Sequence, residues 1–275
     1  MAVIGWGVVG LLMLMSSVLT AEAKASGEDW TPYPRLRKEV KGRSLVRIIP
    51  VGTTASTVLL YPSSFGRDPT VTPVTLPVTA EGAAVMVHNG IGNYHWIAVT
   101  EEQEERALTL ATVHHFGMPG PAPSVMLAQP KSRLEIIPEP LPREFSTYRA
   151  QERWVFRVRL DQRDLPHHPV TLLAPHHPKQ NLSTDPDGRV QVTLPEFPQA
   201  ALQQPAPGAR PRRPVQPFQL AVEAHVGPHH LITVFQHEYA PPPMTNRHPL
   251  LGWGVTGLGM VAGLQLWRGR KEQQS

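Results

Sequence analysis

No cysteine occurs among the 275 residues, which excludes disulfides, thiolate nucleophiles, iron–sulfur clusters and cysteine-based zinc sites. Charge is sparse as well: Asp, Glu, Lys and Arg make up 17% of the chain, and the formal net charge is +4. The basic residues are scattered rather than interleaved with aromatics, so nucleic acid is not expected as a partner. Catalytic signatures readable from spacing are missing too. There is no Gly-x-Ser-x-Gly elbow, no His-Glu-x-x-His helix and no glycine-rich phosphate loop, and the expectation is a protein that is not an enzyme.

What the chain has in excess is proline, 31 residues, about twice the usual ~5%. Proline removes a backbone donor and breaks helix interiors, which argues against a mostly helical fold. The 13 histidines are the main soft ligands available. The body reads as short strands broken by proline and glycine: Leu45–Pro50, Ser56–Tyr61, Val71–Val78, Ala83–His88, Tyr94–Thr100, Leu134–Ile137, Arg153–Leu160, Val170–Ala174, Val190–Leu194, Phe218–His225 and Leu231–Glu238. Glu101–Arg106 is the one helix-like stretch. The expected fold class is all-β, with two β-sandwich (Ig-like) modules and one C-terminal transmembrane helix.

The two ends carry the localisation signal. Met1 to Leu19 is almost wholly apolar, and the small-x-small words Ala21-Glu22-Ala23 and Ala23-Lys24-Ala25 follow it, as in a secretory signal. Leu250 to Trp267 is an uncharged run ending before Arg268, Arg270 and Lys271. Its length of roughly 27 Å at about 1.5 Å per residue approaches the ~30 Å hydrocarbon core. Trp253 and Trp267 stand near its ends as interfacial anchors, and Gly259 and Gly263 form a small-xxx-small pair. The expected organisation is a signal peptide over 1–25, an extension over 26–44 and a first β domain over 45–130. An Ig-like sandwich over 131–240 follows, with a proline-rich loop at 198–217. A spacer over 241–249, a membrane helix over 250–267 and a cytoplasmic tail over 268–275 complete the chain. This arrangement places the protein in the inner membrane as a single-pass protein, body in the periplasm, beside a membrane-protein partner.

The second half carries a resemblance. Leu134-Glu135-Ile136-Ile137-Pro138 is followed by Trp154-Val155-Phe156-Arg157-Val158, then Asp164-Leu165-Pro166 and Pro169-Val170-Thr171-Leu172-Leu173. Next come Ser183-Thr184-Asp185-Pro186-Asp187-Gly188-Arg189-Val190 and the strands around Phe218–His225 and Leu231–Phe235. This order resembles the periplasmic family described as a nickel/cobalt-transport component, mainly over residues 133–238. The Thr-Asp-x-x-Gly turn is similar to that of carboxypeptidase-regulatory-like domains. In that turn Asp185 is placed to accept backbone N–H groups and Gly188 to take a positive φ. The resemblance implies an Ig-like sandwich and an association with transition-metal uptake.

Strand geometry sorts the histidines. His167-His168 and His176-His177 flank one strand and are expected at opposite ends of it. His88 and His95 bracket a hairpin loop that sends them to opposite faces. His114-His115 reads as a loop feature. The last hairpin offers the candidate metal ligands His225, His229, His230 and Glu223. A three-residue turn Val226-Gly227-Pro228 sets His225 opposite His229 and Glu223 opposite Leu231 on one face. It turns Leu220, Val222, Ile232 and Val234 to the other. Such imidazole and carboxylate ligands suit a divalent transition metal: Ni²⁺, Co²⁺, Cu²⁺ or Zn²⁺. The alternative expectation is a structural or interaction subunit of a larger membrane complex, with no metal.

Overall fold

Among the described residues, proline and glycine punctuation cuts the body into sixteen strands and one short helix. The computed structural model describes residues 30–42, 44–86, 94–117, 120–142, 147–198, 202 and 214–242. In chain order these hold β1 (Arg35–Val40), β2 (Leu45–Val51), β3 (Thr57–Pro62), β4 (Val74–Pro77), β5 (Ala83–Met86), β6 (Tyr94–Glu102), β7 (Arg106–His115) and α1 (Ser124–Ala128). There follow β8 (Leu134–Pro138), β9 (Tyr148–Arg149), β10 (Arg153–Leu160), β11 (Arg163–Asp164), β12 (Pro169–Leu173), β13 (Gln180–Ser183), β14 (Arg189–Thr193), β15 (Gln216–Val226) and β16 (His229–Ala240). The fold is all-β.

Three sheets form. A nine-stranded sheet runs β13-β12-β15-β16-β7-β6-β3-β4, with β9 also paired to β16. A three-stranded sheet, β1-β2-β5, and a four-stranded sheet of β8, β10, β11 and β14 complete the set. The large sheet is buried on both faces. Leu36, Val46, Ile48 and Val85 of the three-stranded sheet pack with Ile97, Val99, Leu108, Leu110, Ile232 and Val234. Ile136, Phe156, Val158, Val190 and Val192 of the four-stranded sheet pack with Trp96, Ala98, Ala111, Leu220, Val222 and Phe235. Alternation along each central strand feeds one core with even positions and the other with odd. Such strands read as continuous apolar runs, and Tyr94–Val99, Leu108–Val113 and Leu231–Phe235 are buried without a break.

The sequence-based expectation is of two modules meeting near residue 130. Gln129-Pro130-Lys131 does link two halves of the chain, but the halves share one sheet. β16 pairs in parallel with β7, from His230↔Arg106 to Phe235↔Ala111. Each half thereby covers an edge that would otherwise expose unpaired backbone groups. β1, β7, β9, β11 and β13 were not among the expected strands, and the expected helix at Glu101–Arg106 is instead the end of β6, a turn and the start of β7. Gln103 N–H donates to Arg106 O at 2.7 Å and Arg106 N–H returns to Gln103 O at 3.3 Å. Two glutamine side chains, Gln219 buried and Gln236 half-buried, fasten β1 and the residue before it to the large sheet. Gln236 Nε2 donates to Leu36 O at 2.7 Å and its Oε1 accepts Leu36 N–H at 3.1 Å, while Gln219 Nε2 donates to Pro34 O at 3.1 Å.

The signal segment, the membrane helix with Trp253, Gly259, Gly263 and Trp267, the tail, the 87–93 loop with His88, and most of 198–217 and 241–249 lie outside the described residues. Among the described residues no helix is long and apolar enough to cross a membrane.

Candidate functional site

The last hairpin closes more tightly than its sequence suggested. Val226 pairs with His229, His225 with His230, Ala224 with Leu231 and Glu223 with Ile232. The loop is therefore Gly227-Pro228, with Gly227 at φ 59°, a conformation that glycine adopts without a Cβ penalty. A register one residue shorter sends alternate side chains to the other face. The expected His225–His229 pairing is thus corrected: His229 stands opposite Val226, on the face away from His225 and His230. Ile232 and Val234 likewise share the face of Glu223, while Leu220 and Val222 occupy the other.

The corrected register still gathers three of the four candidate ligands. The imidazoles of His225 and His230 stack with centroids 4.4 Å apart and planes within 4°. Glu223 Oε2 lies 2.9 Å from His230 Nε2. Its other oxygen, Oε1, accepts the Tyr33 hydroxyl at 2.6 Å. The Tyr33 hydrogen bond, then His230 and the Lys179 charge, hold the Glu223 carboxyl below the usual carboxylate range against the opposing effect of burial. Burial and the same carboxylate push the Tyr33 phenol well up. His168 joins the group unforeseen: its Nε2 lies 2.7 Å from Glu223 O. No local pattern could have announced Tyr33 or His168, since each arrives from a distant part of the chain. Among the described residues no three His, Asp or Glu side chains form a ready-made metal cage.

The Asp185–Gly188 turn lies between β13 and β14 and is a backbone device. Asp185 Oδ1 accepts Asp187 N–H at 2.9 Å and Arg189 N–H at 2.8 Å. Gly188 has φ +70°, and a Cβ there would meet Asp164 Cβ and Leu165 N at 2.9 Å and Val158 O at 3.0 Å. Gly188→Ala is therefore expected to lower stability by about 2–4 kcal/mol, from left-handed backbone strain plus overpacking. Urea denaturation will measure it, and a loss under about 0.5 kcal/mol would show that the turn relaxes freely.

No family model matches the chain, and no curated protein matches it. The chain is similar to a solved structure concerned with host cell surface retention of a 1.5-MDa bacterial ice-binding adhesin, at 12% identity and a TM-score of 0.24. That match covers 76% of this chain and 63% of the other, less than two thirds of its length. A likeness this low carries no argument about function.

Proposed function

We propose that this is a membrane-anchored periplasmic accessory protein for transition-metal uptake or handling, binding a divalent first-row ion at the tip of its last hairpin. In this reading the 250–267 segment is the anchor, and the kinship is with the nickel/cobalt-transport-component family that the second half resembles. The carrying observation is the convergence of His225, His230 and Glu223. Two ligands of one ion at about 2.0–2.1 Å stand about 3 Å apart in tetrahedral or octahedral geometry. His230 Nε2 and Glu223 Oε2 already stand 2.9 Å apart, so an ion can replace the hydrogen bond with little motion. His225 must tilt out of its stack for its lone pair to converge on the same point. Ligating imidazole is neutral and ligating carboxylate ionised, so acid weakens the site.

Calorimetric titration of the chain with Ni²⁺, Co²⁺, Cu²⁺ and Zn²⁺ tests this reading. The parent and His229→Ala are expected to bind alike, and His225→Ala/His230→Ala to lose binding. Parent affinity weaker than about 100 μM, roughly −5.5 kcal/mol, or an unaffected double variant, would overturn it. One observation favours a second reading, a structural or interaction subunit without metal. The Glu223 carboxylate that would ligate also fastens the N-terminal segment through Tyr33. Under that reading Tyr33→Phe and Glu223→Gln weaken the docking of that segment and no ion binds.

A further inference from the structure

A concavity of about 830 Å³ opens between α1 and the chain that follows β8. It is lined by Leu127 and Ala128 of α1, by Ile137 and Arg157, and by a proline-rich wall, Pro138-Glu139-Pro140-Leu141-Pro142. The gap is braced from beneath. Arg159 Nη1 donates to Ala128 O at 2.9 Å, and Lys131 Nζ donates to Leu127 O at 3.3 Å and Gln129 O at 2.5 Å. Glu135 holds both cations in place, at 2.7 Å from Arg159 and 4.0 Å from Lys131. The last turn of α1 is thus held in place through its carbonyls.

We infer that this braced groove binds an uncharged apolar alcohol: a hydrocarbon body carrying a hydroxyl donor. Its volume falls in the range of about 300–1,000 Å³ typical of small-molecule sites, which are mostly apolar with a few polar groups. Each charged side chain on its lining is already countered. Arg157 meets Glu139 at 2.7 Å and Asp164 at 3.5 Å, Arg159 meets Glu135, and Glu139 also meets Arg189 at 3.1 Å. A ligand with a net charge would have to break one of these pairs. The proline wall sets the polar preference. Prolines carry no N–H, and of the two N–H groups left in Pro138–Pro142, that of Glu139 already donates to Val155 O at 2.8 Å. The wall therefore has at most the Leu141 N–H to give an acceptor, which tells against a carboxylate and in favour of a ligand that brings its own hydroxyl donor. This inference is independent of the hairpin tip and of any metal there.

The test is photo-crosslinking of the full chain with a diazirine-bearing dodecanol, the labelled peptides being mapped by mass spectrometry. Labelling is expected within residues 120–142, and dodecanol is expected to suppress it at concentrations about tenfold or more below those dodecanoate needs. Ala128→Trp fills the groove from an exposed position and is expected to abolish labelling there while the denaturation midpoint stays unchanged. Ser124→Phe, also exposed, serves should the first variant fail to fold. Labelling spread over the body, or unaffected by the folded filling variant, would overturn the site. Equal or better competition by dodecanoate would overturn the ligand class.

Discussion

Replacing Glu135 with alanine is expected to lower stability by about 3–5 kcal/mol, the range found when one partner of a buried ion pair is removed. Glu135 is 2% exposed and its carboxylate has four claims on it. Oε1 accepts Lys131 N–H at 2.7 Å and Ser132 N–H at 3.2 Å, and Oε2 accepts Arg159 Nη2 at 2.7 Å. Lys131 Nζ, 4.0 Å away, is the looser ionic partner. Burial pulls the Lys131 ammonium down to about 8 against the support of Glu135. With the carboxylate gone, that ammonium keeps two carbonyls and the face of Trp96, whose ring centroid lies 4.8 Å away, and Arg159 loses its counter-ion. Glu135→Gln preserves the shape and one acceptor and is expected to recover part of the loss. Urea denaturation of the three proteins decides the matter, and a cost of under about 1 kcal/mol for the alanine variant would reduce the cluster to an ordinary surface pair.

Mild acid is expected to destabilise the fold through His114 and His237. Burial first, then the Lys38 charge, lowers both to about 3, against about 6.5 for unperturbed histidine. Both are neutral in the fold and become protonated in the unfolded chain, which therefore binds more protons between pH 6.5 and 3. Stability is full above that window and falls as pH drops through it. His114 stands opposite His95, feels the charges of His95 and His115, and meets Phe116 edge-on at 4.4 Å. His237 packs against Tyr148 at 4.9 Å, and its Nδ1 accepts Glu238 N–H at 2.8 Å. Both rings are only partly buried, so each is expected to cost about 1–2 kcal/mol between pH 7 and pH 5. Denaturation midpoints of the parent and of His114→Gln/His237→Gln at the two pH values isolate the effect from carboxylate titration. The same pH dependence in both proteins would remove these histidines as its cause.

Most strands were legible in the sequence because proline and glycine punctuate them and because Arg153–Leu160 alternates cleanly. In that strand Phe156 and Val158 are buried, as alternation requires, and Arg157 and Arg159 on the other face meet Glu139, Asp164 and Glu135. What alternation could not convey is a sheet buried twice. An apolar run such as Leu108–Val113 or Leu231–Phe235 shows no period of two, and the signal for a doubly covered strand is that lack. Assuming one solvated face for Leu231–Glu238 placed Leu220 and Val222 with Ile232 and Val234. Hairpin register has a separate cause. Gly-Pro closes the turn in two residues, so His230 and not His229 meets His225, and the cluster kept three members for a different reason than expected.

The parallel seam between β7 and β16 constrains how the chain reaches its native state. Residues 106–111 and 230–235 are joined there, so more than a hundred residues must be synthesised between the first strand of the seam and its partner. During that interval β7 presents Leu108 and Leu110 without the Ile232 and Val234 that later lie beside them. Pairings this distant in sequence close slowly, because the chain pays the loop entropy before the contact returns anything. The half made first waits with an open, apolar edge, and its need for protection from self-association is greatest just before the last hairpin emerges.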